Sequence, residues 1–169
     1  AGDLRTTTKV LVDLVYLLTS FGWPAEARAA LLQLREAARA LRDEALRPSL
    51  TRSEALVAGF EHPRESEQLH REAILQWKEV GNRRELATEL NFLAILLSHF
   101  GQAEEAITLF RRAAENLAAL GLTRRKTMLM ANLGLAEVQL GELESGRASL
   151  TSAIHDAARI GNRKIKLMA

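Results

Sequence analysis

A glycine recurs every 20 residues along the second half of the chain, at Gly81, Gly101, Gly121, Gly141 and Gly161. Twenty residues make one helix plus one tight joint. Glycine suits such a joint because the residue after a helix C-terminus often needs a positive φ, which only glycine adopts without steric cost. Two intervals make a 40-residue repeat: residues 81–120 begin Gly-Asn-Arg-Arg, residues 121–160 begin Gly-Leu-Thr-Arg-Arg, and Gly161-Asn162-Arg163-Lys164 restarts the pattern. Self-similarity at this period marks a helical repeat array.

The two halves of a period carry different apolar patterns. In the first, Leu86, Leu90, Phe92, Leu93, Ile95, Leu96 and Leu97 cover nearly every direction of a helix, as expected of one packed on several sides. In the second, Ala106, Phe110, Ala113, Leu117 and Leu120 recur at steps of three and four, opposite Glu105, Arg112, Glu115 and Asn116. Each period is therefore read as an inner helix followed by an outer, amphipathic one. Two drifted repeats come first: Phe21-Gly22 and Phe60 match Phe100-Gly101 and Phe100, and Pro24 and Pro63 fall at the first turn of an outer helix, where a missing N–H costs nothing.

Together these predict an all-α chain built as a single domain over residues 1–169, with repeats at about 4–42, 43–80, 81–120 and 121–160 and a partial one at 161–169. Inner helices are expected at about 4–20, 48–59, 83–100 and 122–140, and outer helices at about 23–42, 63–80, 102–120 and 142–160. Residues 162–169 would begin a fifth inner helix. The chain opens Ala1-Gly2-Asp3 without Met and stops soon after Gly161, which predicts a fragment of a longer protein.

These residues resemble a tetratricopeptide repeat. Residues 81–120 match its pattern through Leu90, Leu93-Ala94, Leu97, Ala106, Phe110, Ala113 and Ala118; residues 121–160 match through Met130, Leu133-Gly134, Gly146, Leu150, Ala153 and Ala158. Glu137 stands where a large apolar residue is expected, and Ser53-Glu54 stands at the Leu-small site of the second repeat. The small residues have a physical reason, since Ala94 or Gly134 must admit the facing Ala106 or Gly146. The resemblance implies an α-α superhelix, a tetratricopeptide-like solenoid of four helix pairs plus the start of a fifth. The 40-residue cadence is similar to that of large bacterial transcription regulators of the maltose-activator-like and antibiotic-regulator types.

Carried over from that resemblance, the groove lined by inner helices would comprise Val12, Tyr16 and Thr19, then Asn91, Ile95, Ser98 and His99, then Ala131, Leu135 and Val138. The Lys and Asn ladder of chaperone-binding relatives is missing, so the surface is apolar with a few polar handles. Such a strip suits a protein, a peptide or a small-molecule effector. A basic edge recurs once per period at Arg83, Arg84, then Arg124, Arg125, Lys126, then Arg163, Lys164 and Lys166. Each cluster follows the C-terminus of an outer helix, whose partial negative charge favours cations, so local electrostatics accounts for its placement. Trp77 falls at the site of Leu117 and is expected in the core, while Trp23, ahead of Pro24, is expected to staple a helix corner.

Other classes find little support. With no cysteine there is no thiolate site or disulfide, and the glycines sit at joints rather than in a phosphate loop. His62, His70, His99 and His155 lack ligand spacing and read as surface residues. No catalytic, cofactor or metal site is expected. A net charge of +2 is too small to imply nucleic-acid binding, which is assigned to other domains of a parent protein. The longest apolar stretch, from Val10 to Leu18, is too short for a membrane span. The expectation is a cytoplasmic sensor or interaction domain of a larger, transcriptional, bacterial regulator. The alternative is an adaptor that assembles a complex or a homodimer.

Overall fold

Left-handed glycines punctuate the chain. In the computed structural model, which describes residues 2–159, Gly22, Gly81, Gly101, Gly121 and Gly141 have φ between 66° and 88°. At Gly101 the cap bonds are a Schellman pair: Gly101 N–H donates to the Ser98 carbonyl and Gln102 N–H to that of Leu97. The same pair closes the joints at Gly22, Gly121 and Gly141. The ladder thus reaches the first repeat, and at the next joint Arg42 takes the left-handed conformation instead, at φ 52°.

Between joints lie eight α-helices among the described residues: α1 (Gly2–Ser20), α2 (Pro24–Leu41), α3 (Arg47–Ala58), α4 (Pro63–Glu79), α5 (Arg83–His99), α6 (Ala103–Ala119), α7 (Thr123–Gln139) and α8 (Leu143–Arg159). Each falls within two residues of its expected bounds. Pro24 and Pro63 open α2 and α4, as their fixed φ and missing donor allow. A 3-10 turn, Glu44–Leu46, capped by the Asp43 side chain, precedes α3. The expected fifth inner helix, with Gly161 and the third basic cluster, lies outside the described residues.

The chain forms two compact units, residues 1–81 and 82–169. In the first, α1 pairs with α2 and α3 with α4, and α3 also packs on α1 and α2. Leu11, Val15, Ala27, Ala30, Leu31, Leu34 and Val57 form its core. The α3–α4 contact is more polar. Ser66 Oγ donates to the Ala55 carbonyl at 2.8 Å, and Ser53, His70 and Gln76 are buried. His70 therefore corrects the expectation of a surface histidine: the polar α3–α4 contact can bury an imidazole that an all-aliphatic one would exclude. Trp77 is buried as expected, with the Arg52 guanidinium 5.2 Å from its ring centre. Trp23 instead stays exposed, its ring 5.7 Å from that of Phe21.

In the second unit, α5 pairs with α6 and α7 with α8, while α6 and α5 each touch α7. Leu90, Leu93, Ala94, Leu97, Ala106, Phe110, Ala113 and Leu117 are buried between the helices. Fully burying a side chain such as Phe110 contributes about 1.5–3 kcal/mol. Glycine at 134 and 146 lets α7 and α8 approach closely, as the small-residue pattern requires. Glu137, 2% exposed, is satisfied from both sides: Arg111 Nη2 on α6 donates to it at 3.0 Å and Ser149 Oγ on α8 at 2.7 Å.

Candidate functional site

In the second unit a row of side-chain bonds holds the inner helices α5 and α7 side by side. Arg125 Nη1 donates to Thr88 Oγ1 at 3.0 Å, Asn132 Nδ2 to Asn91 Oδ1 at 3.2 Å, and Ser98 Oγ to Gln139 Oε1 at 2.6 Å. Both partners rise in number together, so the helices run in the same direction with their N-termini at one edge. Asn91 and Ser98, expected to face a ligand, are bonded to the neighbouring helix. Their partners Asn132 and Gln139 were not singled out from the sequence. The hint was there, for Asn91 and Asn132 are 41 residues apart, one step off the repeat period.

Beside this row lies the accessible apolar surface. Leu135 and Val138 are 43% and 40% exposed, Ile95 is half-buried, and His99 is exposed at the end of α5. Met128, seven residues before Leu135 and on the same helical face, is also exposed and was missed. Ala131 is different. It is buried and packs with Ala153 and Ala157 of α8, because its single methyl is too short to reach beyond the helix contact. The motif register gives the face of the helix but not how far each side chain projects from it.

The first unit presents two surfaces. Val12 is half-buried against the core and Tyr16 is exposed. On α1, Val10, Leu14 and Leu17 are exposed as well. When Gly22 is aligned on Gly141, these positions correspond to Leu129, Leu133 and Ala136 of α7, which are all buried. A cleft of about 360 Å³ also opens between α2, α3 and the start of α4, with Leu31, Leu32 and Val57 among its lining. Ion pairs Arg28–Glu61 at 2.7 Å and Arg35–Glu54 at 2.8 Å lie along it.

The basic edge occupies the first turns of α5 and α7. Arg83 and Arg84 are the first two residues of α5, and Arg124, Arg125 and Lys126 follow Thr123 in α7. Arg83 Nε donates to Asn116 Oδ1, in the last turn of α6, at 3.4 Å, which agrees with cations gathering near an outer-helix C-terminus. Arg84 lies 4.0 Å from Glu85. Among the described residues no group of three or more His, Asp or Glu is arranged to hold a metal ion, and no helix is long and apolar enough to cross a membrane.

Several solved structures share this arrangement of helix pairs. A signal transduction ATPase with numerous domains, carrying a tetratricopeptide repeat sensor, from Pyrococcus horikoshii superposes with a TM-score of 0.75 over 93% of this chain at 16% identity. The fold is tetratricopeptide-like. Aspartyl phosphate phosphatase F from Bacillus subtilis matches 98% of the chain at a TM-score of 0.79 and 10% identity. PilF of Pseudomonas aeruginosa matches 91% at 0.69 and 17% identity, over 63% of its own length. The chain spans only 25% of the first of these proteins and 44% of the second. No protein-family model matches the chain, and no curated protein does.

Proposed function

We propose that this chain is a protein- or peptide-binding interaction domain, acting as the sensing part of a larger regulator. One observation carries the reading: Ile95 of α5 and Met128, Leu135 and Val138 of α7 leave an accessible apolar strip beside a row of amides and hydroxyls. Apolar surface gives affinity to such a strip, and neighbouring polar groups fix the orientation of what lies on it. The Pyrococcus protein, whose repeats are described as a sensor attached to an ATPase, supports a sensing role. The transcriptional, bacterial and cytoplasmic setting belongs to the same proposal and rests on the 40-residue cadence, which also supports one continuous array. A non-catalytic role is part of it.

The test is direct. Ile95→Glu and Leu135→Glu should each abolish partner binding while circular dichroism shows unchanged helicity. Binding that persists in both variants overturns the reading.

A second reading is favoured by the first unit. The exposed Val10, Leu14 and Leu17 are the equivalents of residues that α7 buries, so the α1 surface suits assembly into a homodimer or larger complex. Sedimentation at high concentration distinguishes the two: a strict monomer removes the homodimer.

A further inference from the structure

We infer that the partner of the inner face of the second unit is a peptide with acidic residues at one end and aliphatic residues following them. The inference rests on the inner-face reading above and adds the chemistry of the ligand.

The electrostatics of the two inner helices is the starting point. Because α5 and α7 run in the same direction, their N-termini share an edge, and five cations crowd it: Arg83, Arg84, Arg124, Arg125 and Lys126. The first turn of α7 contains no acid, and that of α5 contains only Glu85. A helix N-terminus carries partial positive charge, so each cation there is disfavoured relative to an anion. The outer helices obey this preference, with Glu104 and Glu105 opening α6 and Glu144 opening α8. The C-terminus of α6 offsets the cost for Arg83, which reaches Asn116. It does not supply a counter-charge to α7: Arg125 is bonded to the neutral Thr88 hydroxyl, and Arg124 and Lys126 have no ion-pair partner among the described residues. At the start of α7, therefore, no anion among the described residues balances Arg124 and Lys126.

That edge adjoins the apolar strip. Met128 lies one turn beyond Arg124, and Leu135 stands ten residues beyond Arg125, about 15 Å along the helix. Five residues of extended peptide span roughly that distance. A peptide laid along the strip therefore places carboxylates against guanidinium groups and helix N-terminal N–H groups, where charge-assisted bonds form, and sets its aliphatic side chains on Met128, Ile95 and Leu135. A nucleic acid would use the cations but leave the aliphatic strip without a role.

The test is a selection of displayed random 12-residue peptides against the whole chain, with synthesised winners measured on three proteins: the parent, Arg124→Glu/Arg125→Glu, and Leu135→Glu. The expected result is enrichment of peptides with Asp or Glu at one end and Leu, Ile or Met within about five residues. Such a peptide should weaken at least about tenfold on the charge-reversed protein, weaken with added salt, and fail to bind Leu135→Glu. Enrichment of neutral apolar peptides that are lost only on Leu135→Glu overturns the acidic partner and leaves the inner-face reading standing. Peptides indifferent to all three changes, or no enrichment, overturn both. A single-stranded oligonucleotide that binds more tightly than any peptide, and is lost on the charge-reversed protein, also overturns the acidic-peptide partner. Circular dichroism of each variant confirms that it is folded.

Discussion

Gly134 and Gly146 meet backbone to backbone where α7 crosses α8: a methyl group on Gly146 would lie 2.9 Å from the Gly134 carbonyl oxygen and 2.6 Å from Val138 Cγ2. Alanine gains about 1 kcal/mol of helix propensity over glycine, yet overpacking against backbone costs about 1–3 kcal/mol. Gly146→Ala should therefore destabilise the chain by up to about 2 kcal/mol. Thermal unfolding followed by circular dichroism checks this, and a raised midpoint would contradict the close contact.

Glu137 occupies a position that the repeat pattern gives to a large apolar residue. Replacing it by leucine removes the acceptor of the Ser149 hydroxyl, leaving that buried group unsatisfied at a cost of about 1–3 kcal/mol. Adding Ser149→Ala removes the orphaned group, and apolar replacements of buried polar pairs are often neutral or better. The double variant Glu137→Leu/Ser149→Ala should recover most of the loss in urea denaturation. Equal losses in the single and double variants would show that Ser149 contributes little.

Arg42 holds a left-handed conformation that five other joints give to glycine. Arg42→Gly relieves that strain but loosens the unfolded chain, so the net gain should be up to about 1 kcal/mol. A rise of about 2–4 °C in the unfolding midpoint is expected for a chain of this size. The converse change, Gly101→Ala, puts a side chain at φ 75° and should lower it by a similar amount, although its methyl group would meet nothing within 4 Å.

The bond between Asn132 and Asn91 makes a fourth prediction. Asn132→Leu leaves both helices intact and should lower stability by less than about 1 kcal/mol, because the amides exchange their partners for water. Hydrogen exchange should nonetheless speed up at the α5–α7 contact before it does within the α7–α8 pair.

Helix limits were legible because glycine and proline act through the backbone alone. Gly81, Gly101, Gly121 and Gly141 announce left-handed joints whatever surrounds them, and Pro24 and Pro63 announce helix starts. The Gly134–Gly146 approach was legible for a related reason, since two missing side chains on facing helices permit one thing. The candidate site was legible only in part. Leu135 and Val138 are accessible, whereas Ala131 is buried and Asn91 is bonded to Asn132. Which side chains of a face meet a neighbour about 40 residues on depends on the offset between consecutive helix pairs, which no single repeat encodes. His70 and Glu89 show a second limit: both are buried, though titratable residues on a helix ordinarily read as solvent-facing.

The row Thr88–Arg125, Asn91–Asn132 and Ser98–Gln139 makes the direct contact of α5 with α7 different in kind from that of α7 with α8. Water can replace either partner in each of these bonds, so the seam itself adds little free energy, and what keeps α5 beside α7 is the packing of both on α6. Parting α7 from α8 instead bares carbon, because Val138 packs over Gly146 and Leu150 over Gly134 at the crossing. Exchangeable polar bonds join α5 to α7 directly, carbon packing joins α7 to α8, and the polar seam runs beside the strip on which a ligand would lie.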